Sequence, residues 1–166
     1  MSGVLYQYLS SDHDRLDDLL ERATAKPGII DEEYYADFRN RLLRHISIEE
    51  KIVLPAIARW QGEQKAALAE RLHLDHGAIV SLMVPPPKPI HHPDVEVCFC
   101  RPQSTRGGHS CLYEIFEKLA GSETDSMLEE LKSAPAVPVL PHNSKPELLE
   151  LAKQALARAG HEFKTA

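Results

Sequence analysis

Three stretches of helical period in this chain each set one histidine into the stripe a helix must bury, and one of them adds a glutamate a turn away. The fullest is Arg44-His45-Ile46-Ser47-Ile48-Glu49-Glu50-Lys51-Ile52-Val53-Leu54-Pro55, where His45 and Glu49 share a face with Phe38, Leu42, Ile52 and Ala56. A carboxylate buried without a partner is costly, so it protonates, pairs or binds a cation. For this pair alone a metal, an ion pair with Arg44 and an ordinary exposed face all remain open, because a single HxxxE is a weak signal.

The other two stretches narrow the choice. Leu9, His13, Leu16, Leu20 and Ala23 mark one face of a first helix, which Ser10-Ser11-Asp12 can cap, with Ser11 and Asp14 at capping-box spacing. Pro27-Gly28 ends that helix, and Asp31-Glu32-Glu33 opens the second with acidic residues at its positive end. Pro55 must kink or end the second helix, with Ala56 to Trp60 as a last turn or short continuation. A third helix from about Glu63 to Met83 carries Ala69, Leu72, His76, Ile79 and Met83 on one side, with His73 at its edge and Asp75 as an outward charge or an acceptor for a histidine. One core histidine, hydrogen-bonded to a carbonyl, is the ordinary reading of any single stripe. Three matched stripes point instead to residues that facing helices of a bundle converge on their axis. Imidazole and carboxylate together suit iron, manganese or zinc.

Composition closes other routes. The 166 residues are 43% hydrophobic and 27% charged, enough for one domain with a real core. A formal net charge of −6 without a basic run argues against nucleic acid. No apolar run is long enough to span a bilayer, and the start lacks a signal-peptide pattern, so the expected setting is cytoplasmic with no membrane partner. Cys98, Cys100 and Cys111 make an odd count that does not resemble a disulfide framework. No GxGxxG, P-loop, nucleophile elbow or HExxH occurs.

The ordered set Asp12-His13-Asp14-Arg15-Leu16, His45-Ile46-Ser47-Ile48-Glu49-Glu50 with Val53-Leu54-Pro55, and Asp75-His76-Gly77-Ala78-Ile79 resembles the hemerythrin-like, or HHE cation-binding, family over residues 8 to 84. The resemblance implies an all-α, up-down four-helix bundle around a non-haem di-iron centre, with His13, His45, Glu49 and His76 as iron ligands. His73 is a weaker candidate, since it precedes His76 by three positions and not four. It further implies a protein that binds or senses dioxygen, nitric oxide or iron, with a metal ion and a small diatomic molecule as partners. The alternatives are a stress-repair enzyme handling NO, peroxide or iron release, and a helical interaction protein whose metal site has decayed; no catalytic acid or base stands out beyond the ligands. Leu16, Leu42, Ile52, Leu72 and Ile79 can line a dry pocket.

Beyond residue 84 the pattern breaks. Val84 to Pro89 is a proline-rich stop, and 85–110 is irregular, where the family has a fourth helix with a second His-x-x-x-Glu pair. Short helices follow over 111–166: Leu112 to Gly121, one opened by Ser122 to Asp125 as a capping box, and a last one after the extended, proline-broken stretch Ala134 to Asn143. Leu148, Leu149, Ala152, Ala155, Leu156 and Ala159 form the apolar side of that last helix, Gly160 stops it, and His142 and His161 fall outside any apolar stripe and are expected in solvent. The four ligands left are few for two irons, so weak, incomplete or mononuclear binding is expected, with His91, His92, His109 or the Cys98–Cys100 pair as substitutes.

The genetic code offers a cause. Read one nucleotide later, the codons of Pro102 to Gly108 permit HNPLEEG, a His-x-x-x-Glu motif, and those of Ile90 to Cys100 permit SIIRTLRYVFA, an amphipathic helix. A frameshift over this segment predicts a pair of compensating one-base insertions or deletions near codons 89 and 110 relative to close relatives. Sequencing the gene checks it, and an unbroken frame shared with those relatives refutes it.

Overall fold

The structure is a computed structural model and describes residues 3–61, 66–87 and 109–161. Among these residues the fold is all-helical. Helix α1 covers Val4–Ala23 and α2 covers Glu32–Ile48; a π-helical turn at Glu49–Val53 joins α2 without a break to α3, Leu54–Gln61. Then come α4 (Ala66–Leu82), α5 (His109–Ala120), a 3-10 turn at Gly121–Glu123, α6 (Thr124–Ser133) and α7 (Pro146–Arg158). The candidates Cys98, Cys100, His91 and His92, and the segment expected to hold the fourth helix pair, lie outside the described residues.

The core falls into two main apolar clusters, and the direction of each helix can be followed from one to the other. Leu5, Leu9, Ile48, Val53, Leu72, Leu112 and Phe116 belong to one cluster; Leu16, Leu19, Phe38, Leu42 and Ile79 belong to the second. Along α1 the chain passes from the first cluster through His13 to the second. The second helix passes back through His45 and Glu49, and α4 crosses again through His76. Helix α5 brings Tyr113 to the polar level and continues through Phe116 and Ala120 of the first cluster. That is the up-down-up-down course expected of the bundle, and it leaves one polar layer between two apolar ones.

Local chemistry accounts for most of the helix ends. Asp31 caps α2, its carboxylate accepting from the backbone N–H groups of Glu33 and Tyr34 at 3.1 and 3.3 Å. At the end of α7, Gly160 adopts a φ of 76°, and the N–H groups of Gly160 and His161 bond back to Ala157 and Leu156. Pro55 does not end the helical rod; regular α2 gives way to the π turn just before it. In a regular helix its ring would crowd the carbonyl of Lys51. Here the Leu54 N–H reaches the carbonyl of Glu49, five residues back, and the wider turn lets the rod continue to Gln61.

Other ends depart from the sequence expectation. The first helix begins at Val4, not at Ser10 to Asp12, and Ser11 Oγ donates to the Tyr8 carbonyl. Its cap is the Glu117 carboxylate of α5, which accepts from the N–H groups of Leu5 and Tyr6 at 2.8 and 3.0 Å. A Cβ at Gly3 would collide with that carboxyl. No side chain caps α6, and Thr124 Oγ1 donates to the Gly121 carbonyl in place of the expected box. At its far end, Arg44 donates to the carbonyls of Leu131, Lys132 and Ala134. A cation thus meets the negative end of α6.

The stretch after α6 is extended and crosses the bundle. Arg39 of α2 donates to the Leu140 carbonyl and to His142 Nε2, and the His142 ring stacks on Tyr35 at 6.0 Å. Helix α7 then packs on the outer side of α4 through Ala78, Ala155, Leu156 and Ala159. His142 and His161 are therefore half-buried and engaged, contrary to expectation; His161 Nε2 donates to Asp75 at 2.9 Å.

Replacing Glu117 with alanine leaves the first two amides of α1 uncapped. The expected loss is about 1–2 kcal/mol in chemical denaturation, with faster hydrogen exchange at Leu5 and Tyr6. A variant as stable and as protected as the parent refutes the cap.

Candidate metal centre

His13, His45, Glu49 and His76 are all buried, with Glu49 fully so. Each comes from the step at which its helix crosses between the apolar clusters. The structure brings all four residues singled out in the sequence together. Ligand atoms of His13, His45 and Glu49 lie within 4.8 Å of one another, and the two imidazole rings are tilted at 54° with 4.4 Å between centroids. His45 Nε2 is 3.5 Å from Glu49 Oε1; His76 Nε2 approaches from the other side, 2.9 Å from Glu49 Oε2. The carboxylate of Glu49 is thus shared between two sides of the layer.

Carboxylates also stand behind the imidazoles. His45 Nδ1–H donates to Asp12 Oδ2 at 3.0 Å, and His76 Nδ1–H donates to Glu50 Oε1 at 2.7 Å. Each ring is held with Nε2 turned to Glu49. That carboxylate–histidine arrangement fixes the tautomer and raises the basicity of the nitrogen left to a metal. His73, the weaker candidate, is mostly exposed and donates to the other oxygen of Glu50 at 3.2 Å. Arg44, a conceivable partner for Glu49, is instead spent on the end of α6.

Three contributors carry no clear site signal in the sequence: Asp12, which reads there as a helix cap, Glu50 and Tyr113. Glu50 follows Glu49 and turns to α4, where only the approach of His73 and His76 reveals its use. Tyr113 of α5 is 2% exposed, and its hydroxyl lies 3.1 Å from His13 Nε2 and 3.3 Å from His45 Nε2, and donates to Glu49 Oε1 at 2.5 Å. Its sequence signal is faint, because a tyrosine in the stripe Leu112, Tyr113, Phe116, Ala120 reads as core.

The charges follow from this geometry. Burial pulls the pKa of His45 down, but the Glu49 charge, the hydrogen bonds to Asp12 and Glu49, and the Asp12 charge outweigh it and push it up to about 9. Burial likewise lowers the value for His76, and Glu49 and Glu50 more than reverse it. The Asp12 carboxyl, which burial alone would raise, is held below its usual range by His45, Arg44 and His13. Without a metal, Glu49 is therefore neutralised by imidazolium.

The family model described as the Hemerythrin HHE cation binding domain matches residues 4–84. No curated protein and no solved structure matches the chain. Among the described residues, no helix is long and apolar enough to cross a membrane.

A raised His45 pKa stabilises the metal-free fold fully below the ordinary value of 6.5, and the contribution is lost as pH rises through about 9. Metal needs the neutral ring, so affinity runs the opposite way and increases over the same interval. Titration calorimetry near pH 7, in buffers of different ionisation enthalpy, is expected to show protons released on metal binding. No release refutes the assignment of an imidazolium to the metal-free site.

Proposed function

We propose, from the premise that this chain belongs through residues 4–84 to the hemerythrin HHE cation-binding domain family, that it is a cytoplasmic non-haem iron protein that binds or senses dioxygen, nitric oxide or iron itself. The observation that carries the reading is the pair of buried imidazoles, His45 and His76, each backed by a carboxylate and turned to the same buried glutamate. A core that needed only to neutralise Glu49 has no use for that second row of acids, whereas metal sites are built this way.

The donor set fits iron. His13, His45 and Glu49 supply two imidazoles and one carboxylate, a set that non-haem iron uses with coordination positions left open. Glu49 offsets charge, Asp12 orients His45, and His76 with Glu50 flanks the far oxygen of Glu49. When bound, iron supplies affinity for a small diatomic ligand. Leu16, Leu42 and Ile79 on one side, with Ile48, Val53 and Leu72 on the other, keep bulk water from the layer. Ile52, expected among these, is only half-buried, and Val53 takes the inward position. One ion per chain is the stoichiometry this set supports, since among the described residues one group of three donors converges.

Elemental analysis of protein loaded anaerobically with ferrous ion is expected to give one tightly held iron per chain, and Glu49→Gln to reduce it to background. Asp12→Asn is expected to weaken binding by roughly 10–100-fold with the fold intact. Two tightly held irons refute the single-ion reading; no retained iron refutes the function and favours a helical interaction protein.

A further inference from the structure

The family match ends at residue 84, yet the polar layer is entered by a side chain well beyond it. Tyr113 projects from α5 with Leu112 and Phe116 packed in the cluster beside it, and Tyr6 lies edge-on to its ring at 6.3 Å. Its single oxygen is within hydrogen-bonding distance of a donor atom from each of His13, His45 and Glu49. A buried tyrosine kept for packing needs one partner for its hydroxyl. This one is placed where all three candidate ligands of one ion converge.

We propose that Tyr113 is a fourth protein ligand of this centre, holding ferric iron through its phenolate oxygen beside His13, His45 and Glu49. The inference rests on the metal-binding reading above. On binding, the phenol O–H bond breaks, the proton leaves to solvent, and the electron pair of that bond forms the bond from oxygen to iron. The ion enters as ferric and stays ferric, so no oxidant or reductant is required. Phenolate and carboxylate together offset two of its three charges, and hard anionic oxygens favour the harder, more highly charged ion. Dioxygen binds to ferrous iron, so among the ligands proposed above this donor set disfavours dioxygen.

The test loads the metal-free full chain with ferric ion, supplied as its nitrilotriacetate complex and then dialysed. The parent protein is expected to gain a visible charge-transfer band, and resonance Raman excitation within that band is expected to enhance tyrosine ring modes. Tyr113→Phe is expected to lose the band entirely while still retaining iron by elemental analysis, and Tyr6→Phe to keep it. Iron retained by the parent protein without such a band, or a band unchanged in Tyr113→Phe, overturns the ligand assignment and leaves the metal reading standing. A parent protein that retains no ferric iron overturns the ligand assignment, and failure to retain ferrous iron as well overturns the metal reading. Should Tyr113→Phe fail to fold, the parent spectrum decides alone: enhanced tyrosine modes support the assignment, and their absence overturns it.

Discussion

The carboxylate of Glu49 sits at the middle of the bundle, meeting a phenol and an imidazole on one side and a second imidazole on the other. An uncompensated carboxylate at that depth would cost several kcal/mol. The helices around it are arranged so that it never lacks a partner. His45 sits a turn before it, His13 and His76 come from the neighbouring helices, and Tyr113 comes from α5. Register is thereby tied to one residue, because sliding α1 or α4 by a turn would bring Leu9, Leu16, Leu72 or Ile79 to the carboxylate in place of a histidine.

This requirement divides the core. Leucine, isoleucine and phenylalanine fill the space above and below, and the polar groups are confined to one level. The division explains why the chain beyond the matched region still bears on the site. Helix α5 brings Tyr113 to the layer and, one turn on, brings Glu117 to the start of α1. Helix α6 is held by Arg44, the residue next to His45. The extended stretch after it lies on Arg39 and Tyr35 of the same helix. Helix α6 and the stretch after it thus engage residues of α2 other than those of the layer.

How far this could be read from the residues depended on periodicity. His13, His45, Glu49 and His76 were legible because each breaks an apolar stripe, and the helical course followed from the same stripes. Tyr113 does not break its stripe, so nothing distinguished it from a packing residue. Asp12 and Glu50 adjoin candidate ligands, but their use depends on a partner from another helix. Glu117 caps a helix more than a hundred residues away, beyond any local motif. The Ser11 and Ser122 boxes were motifs with the right spacing that tertiary contacts and a 3-10 turn displaced.

The π turn also sets the angular phase of the rod it interrupts. With the Leu54 N–H bonded five residues back, that turn holds one residue more than a regular one. Everything after it is rotated by about 100° relative to an uninterrupted α-helix. Three residues on from Glu49 is Ile52 and four on is Val53; Val53 is the fully buried one, and Ala56 and Ile57 are buried beyond it. One continuous rod thus brings a carboxylate to the polar layer and then valine, alanine and isoleucine to the cluster of Leu5, Leu9 and Phe116. Winding that turn as regular α-helix with every residue kept would rotate the second half of the rod by about 100° away from the packing it has.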